Sequence, residues 1–224
     1  DAQADGHTGM MVGLNRRFAP MVQKMNDALP SNAPKQLLYR VNSGPKDPDS
    51  WLYRAEEGGG MLVGEMVHFV DLMQGLSGAQ PTRVYADSLR LWRADRVETD
   101  NLTLTLTFED GSTGTLCYNT VGDGAAGKER VEAFGGGTVV TLDDFRRLEI
   151  TTEGSSTTHR AWSQDKGQAN QIDETITHFC DRVHAPIPFD ALVAGMQVVF
   201  GAQESIRTGE PVDIPEYRLQ PVAS

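Results

Sequence analysis

The chain has 224 residues, 39% of them hydrophobic, and a formal net charge of -11. Its length and apolar content support one substantial core and rule out intrinsic disorder. Its acidic balance argues against a nucleic-acid partner, because the phosphate backbone selects Lys/Arg-rich faces. No apolar run approaches the roughly 18 residues of a membrane span, and no basic segment followed by an apolar one opens the chain, so a cytoplasmic location without a membrane partner is expected.

In chain order, Met10-Met11-Val12-Gly13-Leu14 has the composition of a short buried strand. It follows a start without Met, as if the chain were entered partway through. Asn15-Arg16-Arg17-Phe18-Ala19-Pro20 leads into a helix expected over 20–29, with Pro at its first turn and Pro30 beyond its end. Residues 36–42 alternate as a strand, and 43–57 is a loop rich in Gly, Pro, Asp and Ser that carries Trp51 and Tyr53.

Gly58-Gly59-Gly60 then feeds an amphipathic helix that should stop at Gly75 or Gly78. Leu62, Met66, Phe69, Met73 and Leu76 recur at helical spacing and mark its buried stripe. Glu65 lies at the edge of that stripe, and His68, three residues on, points away from it. Neighbours at this spacing can meet one small ligand together. A carboxylate beside an imidazole that titrates near neutrality suits proton transfer. The plainer reading pairs His68 with Asp71, also three residues away, on a solvated face.

From Thr82 the hydrophobic period changes from 3.6 to 2. Strands are expected at 84–92, 101–108, 113–121, 129–134, 138–142 and 147–152, with turns at Glu109-Asp110-Gly111-Ser112 and Gly135-Gly136-Gly137. Leu102, Leu104 and Leu106 alternate with Thr103, Thr105 and Thr107, which implies a sheet covered on one side, its threonine face meeting solvent or a partner. A polar loop is expected at 154–158 and a helix at 168–183. A second helix is expected at 190–208, with Asp190 as N-cap and Gly209 as stop. The expected fold is therefore α+β, a large open, mostly antiparallel sheet with helices packed on one face.

Cys117 and Cys180 do not make a disulfide framework, and the five histidines share no zinc-type spacing, so no metal is expected. Gly122-Asp123-Gly124-Ala125-Ala126-Gly127 fits the dinucleotide fingerprint, and Gly122 with Gly127-Lys128 has P-loop spacing. Both motifs need a helix after the glycines to present amides to phosphate, yet Glu129-Arg130-Val131-Glu132-Ala133-Phe134 is strand-like. Glu129 also stands where a P-loop needs Ser or Thr. A glycine loop joining two strands, able to place Lys128 over a ligand, accounts for the segment better.

Several motifs in order resemble the Gfo/Idh/MocA oxidoreductases. They are Val12 to Pro20, Glu56-Glu57-Gly58-Gly59-Gly60 running into His68-Phe69-Val70-Asp71-Leu72, Asp100-Asn101, and Gly127-Lys128-Glu129-Arg130. The likeness runs from about Gly9 to Ile214 and is closest to inositol dehydrogenases or to the branch fused behind a zinc-type alcohol dehydrogenase. It implies that residues 1–18 are the end of the last strand of a Rossmann domain and a linker. Residues 19–224 would then be the substrate-binding and oligomerisation domain of an NAD(P)-dependent oxidoreductase acting on a sugar, inositol or similar polyol. The fingerprint glycines of a first strand and the family's Glu-Lys-Pro motif are absent, so this chain alone is expected to be inactive.

By the same resemblance His68 is the general acid/base or positions the substrate hydroxyl. The family's acid, four residues before that histidine, falls on Gly64, with Glu65 one place later and rotated by about 100°. The resemblance places Asn15 beside the cofactor and Arg16 in the cleft, makes Trp51, Tyr118 and Lys128 substrate contacts, and leaves Asp71 structural. A homo-oligomer through the open sheet face is implied, as a dimer in the simplest case. The alternative is a non-catalytic dimerisation module or a small-ligand sensor.

Overall fold

The computed structural model describes residues 10–47, 50–51, 60–89, 101–181 and 184–217. The strands, in chain order, are β1 (Gln36–Asn42), β2 (Pro81–Ser88), β3 (Leu102–Phe108), β4 (Thr113–Asn119), β5 (Glu129–Gly135), β6 (Thr138–Asp143), β7 (Arg147–Thr152), β8 (Ser155–Arg160) and β9 (Val212–Asp213). Among the described residues they form one sheet, in the order β8-β7-β6-β5-β1-β4-β3-β2-β9. Only β1 and β4 run parallel. The chain between them contains a helix and two strands, long enough for the crossover that a parallel pair requires. Turns join β3 to β4 and each of β5 to β8 to the next, so those ladders are antiparallel.

The helices are α1 (Pro20–Ala28), α2 (Gly60–Ser77), α3 (Gln168–Asp181) and α4 (Phe189–Thr208). In β3 the leucines are buried and Thr103, Thr105 and Thr107 exposed, which sets the two faces of the sheet. On the buried face α4 lies on β2, α1 on β6 and β7, and α2 against α4. The five residues of the α2 stripe are each at most 1% exposed. Burying one such side chain contributes about 1.5–3 kcal/mol. α2 also comes close to the sheet at Gly114 in β4, where a Cβ would lie 2.1 Å from Met73 Cε.

Several elements depart from expectation. Residues 10–14 have no ladder partner among the described residues, and Met10 and Val12 are 44% and 36% exposed. A strand needs a neighbour for its amides and carbonyls, and the Val12 carbonyl instead accepts from Leu14 N and from Gln171 Nε2. The expected polar loop at 154–158 is the edge strand β8, entered through Glu153 and Gly154 in left-handed conformation. Its side chains are mostly exposed on both faces, so no apolar alternation marks it. Asp190 is not the N-cap. Pro188 is, and Asp190 sits in the first turn of α4, where a carboxylate still complements the helix N-terminus. Gly209 ends α4 in left-handed conformation, as read from the sequence. The strand expected at 84–92 begins at Pro81 and ends at Ser88. Residues 90–92 and 182–183, Tyr53, and Gly58 and Gly59 lie outside the described residues.

Candidate active site

α2 carries Glu65 and His68 one turn apart, with Phe69 beside them on the inward face. The Phe69 ring meets Tyr39 edge-on at 5.3 Å and Tyr118 at 5.8 Å, which anchors this turn of the helix on β1 and β4. Tyr118 is fully buried, and its hydroxyl donates to Glu65 Oε2 at 2.9 Å. Lys128 Nζ donates to Glu65 Oε1 at 3.4 Å. The structure thus brings Glu65, Tyr118 and Lys128 together beside His68.

Lys128 follows the glycine loop. Asp123 caps a single 3-10 turn at Gly124–Ala126, and β5 begins at Glu129. No α-helix follows the glycines, so the loop lacks the helix N-terminus that either phosphate motif requires.

Glu129 forms the floor of the site. It alternates with Val131 and Ala133 on the inward side of β5 and is 2% exposed. Arg16 donates from Nε at 2.8 Å and from Nη2 at 3.1 Å, Lys166 Nζ at 2.6 Å, and the Tyr39 hydroxyl at 2.5 Å. Burial alone would raise the pKa of this carboxyl, but the hydrogen bonds and charge of Arg16, with Lys166 behind it, bring it down to about 2. The Arg16 guanidinium, 7% exposed, also lies 4.7 Å over the Phe69 ring.

His68 Nδ1 is buried and has no hydrogen-bond partner among the described residues. Burial, and next the Arg16 charge, hold the imidazole below its ordinary 6.5, against the opposing pull of Glu65 and Glu129. Both effects favour the neutral imidazole. Asp71, the plainer partner for it, is bound by Arg17 Nε at 3.0 Å and Nη2 at 2.5 Å.

Asn15 donates its amide to the Lys166 carbonyl at 2.7 Å. Trp51 is 57% exposed, and among the described residues no hydrogen bond or ring contact ties it to the cluster. Sequence reasoning missed Tyr39, Lys166 and the inward role of Glu129. The signal for Glu129 was present, because a carboxylate in register with Val131 and Ala133 must face the core.

The segment carrying Lys166 is stitched to the 12–18 stretch. Asn170 Nδ2 donates to the Phe18 carbonyl and Gln171 Nε2 to that of Val12. Gly167, at φ 86, fits between them. A Cβ there would lie 2.4 Å from Ala19 N and 2.5 Å from Phe18 C, which is rigid backbone. Gly167→Ala should therefore destabilise the chain by about 2–3 kcal/mol in urea unfolding, and a loss under about 0.5 kcal/mol would contradict this packing.

An apolar groove of about 370 Å³ borders the site, lined among others by Met10, Val12, Leu14, Val67, Phe189 and Phe200. Nearby, α3 buries only Gln171 and leaves Ile172, Ile176 and Phe179 half exposed. Among the described residues no group of three His, Cys, Asp or Glu is placed to hold a metal ion, and no helix is long and apolar enough to cross a membrane.

A mostly antiparallel open sheet backed by helices, with a histidine-bearing helix against its centre, is a fold this chain shares with solved structures. Residues 36–140 match the GFO/IDH/MocA C-terminal domain. An oxidoreductase domain protein from Kribbella flavida is similar, at 19% identity over 95% of this chain and 68% of that one, with a TM-score of 0.76. So is an oxidoreductase from Agrobacterium radiobacter in complex with NAD+, L-tartaric acid and magnesium, at 18% identity over 91% and 64%, with a TM-score of 0.72. At these identities the likeness establishes the fold. The uncharacterized protein y4oX of Sinorhizobium fredii (strain NBRC 101917 / NGR234) is 28% identical over 191 residues, 75% of this chain and 51% of that protein. The chain therefore spans about half the length of the curated relative it matches.

Proposed function

We propose that this chain is the substrate side of a cytoplasmic NAD(P)-dependent oxidoreductase acting on a sugar, inositol or similar polyol, with His68 exchanging a proton with the substrate hydroxyl. The observation that carries the reading is the placement of His68 beside Glu65, Tyr118 and Lys128, with burial favouring its neutral imidazole. A group of this kind can take or return a hydroxyl proton, and a polyol offers the hydroxyls that Glu65 and Lys128 can bind. The nicotinamide cofactor, when bound, supplies hydride transfer. The described residues offer no helix-backed glycine cradle for its phosphates, so those contacts fall to another domain. Asn15 stands where this chain would approach the cofactor, residues 1–18 are the tail of that domain, and 19–224 the substrate domain. The apolar groove and the exposed stripe of α3 are the surfaces on which such a domain would seat.

Titration calorimetry of NAD+ and NADH into this chain should give no binding. A longer protein that carries it behind a cofactor domain should bind the nucleotide and reduce it with a polyol. A longer protein that reduces no cofactor with any polyol would sink the reading.

A role in assembly is compatible with it. The sheet face opposite the helices exposes Thr103, Thr105 and Thr107 together with Leu38, Tyr85 and Val139 at 39%, 42% and 36%, a mixed surface suited to a second copy.

A further inference from the structure

Glu129 receives more hydrogen bonds than its place in a core calls for. A carboxylate facing inward beside Val131 and Ala133 is costly unless every lone pair is met, and a buried ion cluster of this kind adds little stability over apolar residues of the same volume. Yet four donors converge on it from three separate parts of the chain: the turn holding Arg16, β1 with Tyr39, and the loop with Lys166. The arrangement leaves a guanidinium clamped through two of its nitrogens, lying over Phe69, the neighbour of His68 on α2. Its position is set by Glu129, the only carboxylate among the described residues that it bonds.

We propose that Glu129 is a positioning residue, which holds Arg16 beside α2 and thereby sets the state in which His68 meets the substrate. This rests on the proposed role of His68 and goes beyond it, since it assigns the control of that residue to a side chain on another element. The charged groups acting on His68 are Arg16 from the turn, Glu65 from its own helix, Glu129 from β5 and Lys128 from the glycine loop. Lys166 lies behind Glu129, and Asp144 is held by the backbone N–H groups of Lys128 and Glu129.

The two ways in which Glu129 could act have opposite signs. As a bare charge it favours the imidazolium, so deleting it would lower the His68 midpoint. As the clamp on Arg16 it keeps a cation close, so releasing that cation would raise the midpoint. The test is a pH titration of the His68 ring signal by NMR in this chain without substrate or cofactor, with unfolding curves for each variant. Glu129→Met, which releases Arg16, should raise the midpoint. Glu129→Gln, which still accepts from Arg16 but carries no charge, should lower it. An unchanged or lowered midpoint in Glu129→Met overturns the proposal. If that variant does not fold, Glu129→Asp, which keeps the charge but is too short to hold Arg16 in place, should raise the midpoint, and an unchanged or lowered one overturns the proposal. Because no substrate enters the measurement, it can fail while the oxidoreductase reading stands, and the converse also holds.

Discussion

Glu129→Ala should destabilise this chain by about 3–5 kcal/mol in urea unfolding at pH 7, among the largest losses expected of any single side chain. The substitution removes the acceptor of four hydrogen bonds and leaves Arg16 and Lys166 without their counter-charge at sites 8% and 16% exposed. Removing one member of a buried ion cluster exposes the full desolvation cost of the others. The same pair makes the fold sensitive to acid. The Glu129 pKa is depressed from 4.5 to about 2, so the unfolded chain binds the proton more readily than the folded one. The stability this group contributes, about 3 kcal/mol by linkage, is fully present above 4.5 and is lost as pH falls from there towards 2. His68, also depressed, adds a loss of the same sign at higher pH, beginning as pH falls through 6.5, where the unfolded chain takes up a proton that the folded site resists. In Glu129→Ala the lower of these two acid-dependent losses should vanish, while the upper should shrink as Arg16 is released and keep the part that burial of His68 maintains. A variant that keeps the whole acid dependence would show that other carboxylates carry it.

What could be read from the sequence follows from where periodicity alone decides. Leu102, Leu104 and Leu106 against three threonines forced a strand with one covered face, and the α2 stripe forced a helix with one buried side. β8 could not be read, because an edge strand exposed on both faces has no reason to alternate. Residues 10–14 pose the opposite case. Their apolar composition is that of a strand, but pairing needs a neighbour, and none lies beside them among the described residues. At the site, His68, Glu65, Tyr118 and Lys128 were named in advance, and the structure brings the last three into contact around Glu65. In the sequence, Glu129 stands out only where a P-loop would need Ser or Thr and within Gly127-Lys128-Glu129-Arg130. Its role depends on Arg16, Tyr39 and Lys166, which lie 113, 90 and 37 positions away, and no local spacing connects them.

Replacing His68 with asparagine in the proposed two-domain enzyme should lower kcat by about 100- to 10,000-fold, the range usual for a group that moves a proton in the transition state. Asparagine keeps a hydrogen-bonding amide of similar reach, so substrate binding should change less than turnover. If His68 served binding alone, KM would rise while kcat held. The pH profile gives a second readout. A base in polyol oxidation must be unprotonated, so the acid limb of kcat/KM should fall below 6.5, the side to which burial and Arg16 move His68. Glu65 opposes that shift by favouring the imidazolium. Glu65→Gln should therefore move the acid limb to still lower pH while preserving a hydrogen bond to Tyr118. A carboxylate that acted as the base itself would behave otherwise, because Glu65→Gln would then abolish turnover at every pH and leave no limb to move. The two outcomes assign the proton transfer to one residue or the other on the same turn of α2.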